Sequence, residues 1–153
     1  MKVLVFDQQQ DLVISKASVK PVVKSVLVIE GAHTDEIAVY FVTKKEISKL
    51  HSEFFNDPTP TDCISFPLDG PGEKGYNVLG EIFICPKTAL DFVLTLSEEL
   101  GENVYFETTL YLVHGLLHLL GHDDQEEGAQ KKMQEREQLH MERLIKEGLL
   151  LKQ

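Results

Sequence analysis

His114 and His118, followed within six residues by more donors, give this 153-residue chain a segment suited to metal chemistry. The segment reads HGLLHLLGHDD, residues 114–124. On a helix, four residues advance roughly 400°, so the two imidazoles lie about 40° apart on one face. Their ring nitrogens can then meet one cation. Gly121 can take the left-handed conformation that ends a helix and turns the chain back. A catalytic zinc takes three protein ligands and leaves one position for water. The third ligand is expected to be Asp124, which has the right spacing from the glycine. His122 is the alternative: it is the more usual zinc ligand by type, but one residue past Gly121 it should point away. Asp123 is expected to hydrogen-bond locally or to a histidine, outside the ligand set. A zinc peptidase of the HExxH type needs a glutamate directly after the first histidine, and here that residue is Gly115. Peptide hydrolysis by that route is disfavoured.

These residues need a buried, well-held helix. Residues 102–120 carry Phe106, Leu110, Val113, Leu117 and Leu120 on one stripe and Leu112, Leu116 and Leu119 on another. A helix apolar almost all round sits at the centre of a fold. Glu107, Tyr111, His114 and His118 share its remaining face. Glu107 either orients one of the histidines or is an ordinary, partly exposed helix residue.

Around that helix the pattern predicts strands at Lys2–Phe6, Ile37–Val42, residues 63–66 and Leu79–Cys85. Helices are predicted at 18–30, with Pro21 in the first turn, and at Lys44–Phe55, with Ile47, Leu50 and Phe54 on one side. A further helix opens at Pro86 and runs to about Leu100, closed by Gly101. The last, about 126–149, carries the i,i+4 pairs Glu127–Lys131 and Glu142–Lys146 and docks through Met133, Met141, Leu144 and Ile145. Turn residues fill 56–62 and 69–77. No repeat or composition break divides the chain, so residues 1–153 are read as one domain.

The formal net charge is −10, from 15 basic and 25 acidic residues, which argues against non-specific adhesion to nucleic acid or anionic membrane. An RNA substrate would need a local basic groove. No apolar run is long enough to span a membrane, and the first residues lack the features of a signal peptide. A cytoplasmic location is expected, with Cys63 and Cys85 as buried reduced thiols.

The segment HGLLHLLGHDD closely resembles the HGxLHLxGxDH signature of the YbeY family of bacterial rRNA maturation factors, metal-dependent endoribonucleases. PTDCISFP (residues 60–67) resembles that family's PTDVLSFP element, LGEIFIC (79–85) its LGDIxI strand, and FETTLYLVHG (106–115) the lead-in to its metal helix. The blocks keep their order and spacing over about residues 50–124. Two departures stand out: Asp124 replaces the family's third histidine, and Phe55 stands where the family usually has an arginine. Such an arginine could clamp a phosphate. Lys44, Lys45, Lys49, Lys74 and Lys87 are candidate replacements, though each is equally an ordinary surface charge.

The resemblance implies an α+β fold, a small, mostly four-stranded mixed sheet packed with about five helices around a buried central metal-binding helix. It implies a single-strand-specific endoribonuclease in small-subunit rRNA 3′-end processing and ribosome quality control. It also implies one zinc ion per chain, held by His114, His118 and Asp124, with RNA and the ribosome or its small-subunit proteins as partners. Thr61, Asp62 and Ser65 are expected either to line the cleft beside the metal or to shape a turn. A non-catalytic assembly factor with a structural zinc, and less readily a metallopeptidase, are the alternatives.

Overall fold

The computed structural model describes residues 1–71, 75–96 and 101–153. Its four strands are β1 (Lys2–Asp7), β2 (Glu36–Phe41), β3 (Cys63–Pro67) and β4 (Val78–Ile84). Its five helices are α1 (Val19–Glu30), α2 (Lys44–Phe55), α3 (Pro86–Leu96), α4 (Gly101–Leu119) and α5 (Glu127–Glu147). The sheet order is β1-β2-β4-β3. β1, β2 and β4 run parallel, and β3 pairs antiparallel with β4. This is the expected α+β class with a mixed four-stranded sheet.

Period-two alternation decides which side of the sheet is core. Ile37, Val39 and Phe41 of β2 are fully buried and join Leu79, Ile82 and Ile84 of β4 in the main cluster. Val19, Val22, Val23, Val26 and Leu27 of α1 complete it from the helix side. The opposite face carries Tyr40, Phe66 and Phe83, which pack with Ile47 and Leu50 of α2. Thr43 caps α2 by accepting from the Glu46 N–H at 3.2 Å.

Helix α4 lies between the sheet and the other helices, touching β3, β4, α1, α3 and α5. Leu112, Val113, Leu116, Leu117 and Leu119 are buried. Thr108 and Thr109, also buried, satisfy their hydroxyls on the carbonyls of Val104 (2.7 Å) and Tyr105 (2.6 Å). Burying this helix at modest polar cost is what allows two imidazoles to be fixed on its one open face.

Four local expectations need correction. Gly101 is already helical, as the first described residue of α4, and the expected end of the preceding helix, Leu100, lies outside the described residues. Ile145 is half exposed, because Met133, Met141 and Leu144 already fill the docking stripe of α5. Phe54 is exposed and meets the sheet only edge-on against Phe66. On α5 the i,i+4 contacts that form are Gln138–Glu142 (3.0 Å) and Arg143–Glu147 (2.7 Å), rather than Glu127–Lys131 and Glu142–Lys146.

Candidate metal centre and cleft

His114 and His118 stand one turn apart on α4, with ring centroids 4.5 Å apart and planes at 80°. Between them Gly115 lets the helix press onto the sheet. A Cβ there would lie 2.8 Å from Ile82 Cγ2 and 2.9 Å from Cys63 Sγ. The Ser65 hydroxyl donates to the Gly115 carbonyl at 3.1 Å. The glutamate that a zinc peptidase places at this position has no room.

The helix then closes as the glycine demands. Gly121 has φ +97°, its N–H bonds the His118 carbonyl at 3.0 Å, and the His122 N–H reaches back to Leu117 at 3.0 Å. This paired closure is a Schellman turn. It swings Asp124 back over the helix face, with Oδ2 3.5 Å from His114 Nε2 and 3.3 Å from His118 Nε2. The two Nε2 atoms are 3.0 Å apart.

These spacings test whether a metal fits. Three donors at about 2.0–2.1 Å from a tetrahedral zinc stand roughly 3.3 Å from one another. The 3.0, 3.3 and 3.5 Å separations bracket that value. Among the described residues, His114, His118 and Asp124 are the group of donors close enough to share an ion. All three are partly exposed, so a position towards solvent remains open.

His122 lies outside this group. Its Nε2 is 2.7 Å from Glu30 Oε1, at the end of α1. That buried carboxylate also accepts from Arg136 Nε (2.6 Å) and His140 Nε2 (2.8 Å). Burial works to raise the Glu30 pKa, but the three donors outweigh it and hold the carboxyl below its ordinary value. Asp123 accepts locally from the Gln125 N–H at 3.0 Å.

The residue that orients the metal helix is Glu137 of α5, whose Oε1 lies 2.9 Å from His114 Nδ1. A carboxylate there accepts a hydrogen bond from Nδ1–H and leaves the Nε2 lone pair facing Asp124 and His118. Burial alone would lower the His114 pKa. The Glu137 hydrogen bond and charge, with the charges of Asp62 and Asp124, raise it above the ordinary value. The sequence held a usable signal: Glu137 is a carboxylate on the apolar stripe of Met133, Met141 and Leu144. Glu107 does not take this role. Burial raises its pKa, its hydrogen-bond partner is Tyr111 one turn along, and Asp62 and Glu137 add further repulsion.

Beside the histidines opens a cleft of about 360 Å³, lined by His51, Phe55, Thr61, Cys63, Ile64, Ser65, Pro67, His118, Asp124 and Gln125. Thr61 and Ser65 thus face it, while the Asp62 carbonyl accepts the Cys85 N–H at 3.0 Å and its side chain meets the Thr61 hydroxyl at 3.4 Å. Asp62 shapes the turn and acts on the site through its charge. Cys63 and Cys85 are free thiols; Cys85 is buried as expected, and Cys63 is only partly covered. The surrounding protein, with the nearby Asp62, pushes the Cys63 thiol well up and so favours its protonated form.

Of the expected lysines, those among the described residues do not line the cleft. Lys44 and Lys87 both pair with Asp91. Lys45 and Lys49 are exposed on α2 and do not line it. Lys74 lies outside the described residues. His51 does line it, and no expectation had singled it out.

A family model described as Endoribonuclease YbeY matches residues 4–145, which include the whole of this site. The chain belongs to the YbeY family. It is 50% identical over 146 residues to the Endoribonuclease YbeY of Protochlamydia amoebophila, covering 95% of each chain. It is 37% identical over 152 residues to that of Chlamydia trachomatis serovar D, covering 99% of this chain and 92% of the relative. A solution structure of a Thermotoga maritima protein shares the fold, with a TM-score of 0.59 and 24% identity over 95% of this chain and 90% of that one. Within a YbeY chain, a His-His-Asp set at residues 114, 118 and 124 offers a mixed nitrogen and oxygen environment to an ion. Among the described residues, no helix is long and apolar enough to cross a membrane.

Proposed function

We propose that this chain is a zinc-dependent endoribonuclease that cuts single-stranded RNA in ribosomal RNA processing, at the small-subunit 3′ end and in ribosome quality control, in the cytoplasm. The observation that carries the reading is the convergence of His114 Nε2, His118 Nε2 and Asp124 Oδ2 at the edge of an open cleft. The names of the relatives supply the reaction class, endonucleolytic cleavage of RNA.

His114, His118 and Asp124 would hold the ion, and Glu137 would fix the His114 ring and tautomer. When bound, the metal supplies a Lewis acid that polarises a phosphoryl oxygen or activates water. Thr61 and Ser65 offer hydroxyls along the cleft wall. Small-subunit proteins would be the neighbours of an enzyme working on precursor rRNA.

The test is metal analysis and cleavage of a single-stranded small-subunit 3′-end precursor by the His114→Ala, His118→Ala double variant. The expected result is loss of both metal and cleavage. Undiminished cleavage by the metal-free variant would sink the mechanism.

One second reading has support: a non-catalytic ribosome-assembly factor with a structural zinc. The net charge of −10 and, among the described residues, the lack of lysine or arginine along the cleft favour it. Zinc-loaded protein that binds precursor RNA without cutting it would establish that reading.

A further inference from the structure

His51 sits towards the C-terminal end of α2 and lines the cleft together with His118 and Asp124. Its Nδ1 lies 2.8 Å from the Thr59 carbonyl. A carbonyl can only accept, so Nδ1 carries hydrogen and Nε2 is the ring's other, unanchored nitrogen. Among the described residues, Nε2 has no hydrogen-bond partner. Phe55 flanks the ring, with centroids 5.6 Å apart. The loop that supplies Thr59 is itself tied down, since Asp57 Oδ1 accepts from the Thr59 N–H at 2.9 Å and from its hydroxyl at 2.6 Å. The imidazole is therefore held in one orientation before any ligand arrives.

A polyanion entering this cleft must find a cation or lose its hydration without compensation. Among the described residues no lysine or arginine lines the cleft, and Lys44 and Lys87 are engaged with Asp91. His118 is turned towards His114 and Asp124. Among the described residues, that leaves His51 as the lining side chain able to present a positive N–H outside the candidate metal centre. We infer that His51, as an imidazolium anchored on Thr59, donates Nε2–H to a non-bridging oxygen of an RNA phosphate in the cleft. The assignment rests on the RNA reading above and deepens it by naming a substrate contact. The titratable groups around the ring are Asp57 in the loop after α2, and His118 and Asp124 in the same cleft. A bound phosphate adds its own charge in favour of the protonated ring.

The experiment uses the zinc-loaded full chain with His51→Ala, His51→Gln and His51→Arg, and a single-stranded oligoribonucleotide at about pH 6, where an ordinary histidine is largely protonated. The Ala and Gln variants should raise KM about tenfold, the worth of one charge-assisted hydrogen bond, with kcat and zinc content nearly unchanged. The Arg variant should restore KM and keep it restored at about pH 8, because a guanidinium stays charged. Binding of a 2′-O-methyl oligonucleotide should show a salt slope shallower by about 0.7 in the Ala and Gln variants, as one lost phosphate contact requires. A role limited to bracing the loop would leave that slope unmoved. Gln and wild-type proteins with equal KM and equal slope would overturn the assignment while leaving the nuclease reading intact. Should the Ala variant not fold, Gln and Arg decide the matter. Zinc-loaded wild type that neither binds nor cuts single-stranded RNA would overturn both readings.

Discussion

His114 Nδ1 and Glu137 Oε1 lie 2.9 Å apart, so α4 is tied to the last helix through a ring of the candidate metal centre. The carboxylate fixes the tautomer and makes Nε2 a better donor to a cation. Glu137→Gln keeps an acceptor at nearly the same place but removes the charge. Zinc affinity should fall about tenfold, at the lower end of what partners of metal-bound histidines contribute, and Glu137→Ala should cost more. Competition against a chromophoric chelator measures this, with thermal unfolding to confirm that both variants fold. Equal affinity in all three proteins would mean that Glu137 braces only the helices.

Asp124 and His122 make a cleaner pair, because the turn sends them to opposite sides. Asp124→Ala should lose bound zinc on desalting. His122→Ala should keep zinc and lose about 1 kcal/mol of stability, the size of one hydrogen bond, or roughly 2–4 °C in Tm. Metal analysis of both proteins, set beside their melting curves, decides between the two ligand assignments. Zinc lost from the His122 variant and retained by the Asp124 variant would reverse them.

Gly115 is where helix and sheet come closest beside the histidines. A methyl group there meets Ile82, Cys63 and Ser65 at 2.8, 2.9 and 3.1 Å. Gly115→Ala should destabilise by about 1–3 kcal/mol through overpacking and weaken zinc binding, because the histidine on its N-terminal side must shift with the helix. Gly128→Ala is the control. Nothing lies within 4 Å of its Cβ, so it should be neutral or stabilising by up to about 1 kcal/mol. Urea unfolding of the two variants tests the contrast, and an unchanged midpoint for Gly115→Ala would show that the contact relaxes freely.

The candidate metal centre was legible because its donors are local. Two histidines one turn apart, a glycine and a carboxylate occupy eleven consecutive residues, and helix geometry with the turn at Gly121 brings them together. The elements were legible for a similar reason: Ile37, Val39 and Phe41 alternate, and Val19, Val22, Val23 and Val26 follow the helical repeat. What stayed hidden depends on tertiary approach. Glu137 reaches His114 across 23 residues of sequence, and Glu30 meets His122 and His140 across 92 and 110. No periodicity encodes such pairings. His51 was passed over because a histidine on a polar helix face resembles ordinary surface until a loop folds against it. Gly101 misled because glycine serves at either end of a helix.

The Glu30 cluster gives a pH dependence with a definite sign. His140 is fully buried, gives Nε2–H to Glu30 and, among the described residues, has no partner at Nδ1. Burial lowers its pKa below the ordinary value, because a second ring proton would have no acceptor, and the pull of Glu30 does not compensate. Glu30 is likewise held below its ordinary 4.5. For a group whose folded pKa is depressed, the stabilisation is complete above the unfolded pKa and is lost as pH falls through the folded one. Stability of the metal-free chain should therefore begin to decline as pH drops below about 6.5, from His140, and decline further below about 4.5, from Glu30. His140→Gln should be less stable than wild type at neutral pH, and that gap should narrow from about pH 6.5 downward. Glu30→Gln, which strips the charge from a carboxylate bonded to Arg136, should cost about 3 kcal/mol at neutral pH, with its gap narrowing only below about pH 4.5. The raised pKa of His114 is common to all three proteins, so differences between them isolate the cluster. Urea unfolding from about pH 4 to pH 8 supplies the curves, and gaps that stay constant with pH would remove the cluster from the pH response.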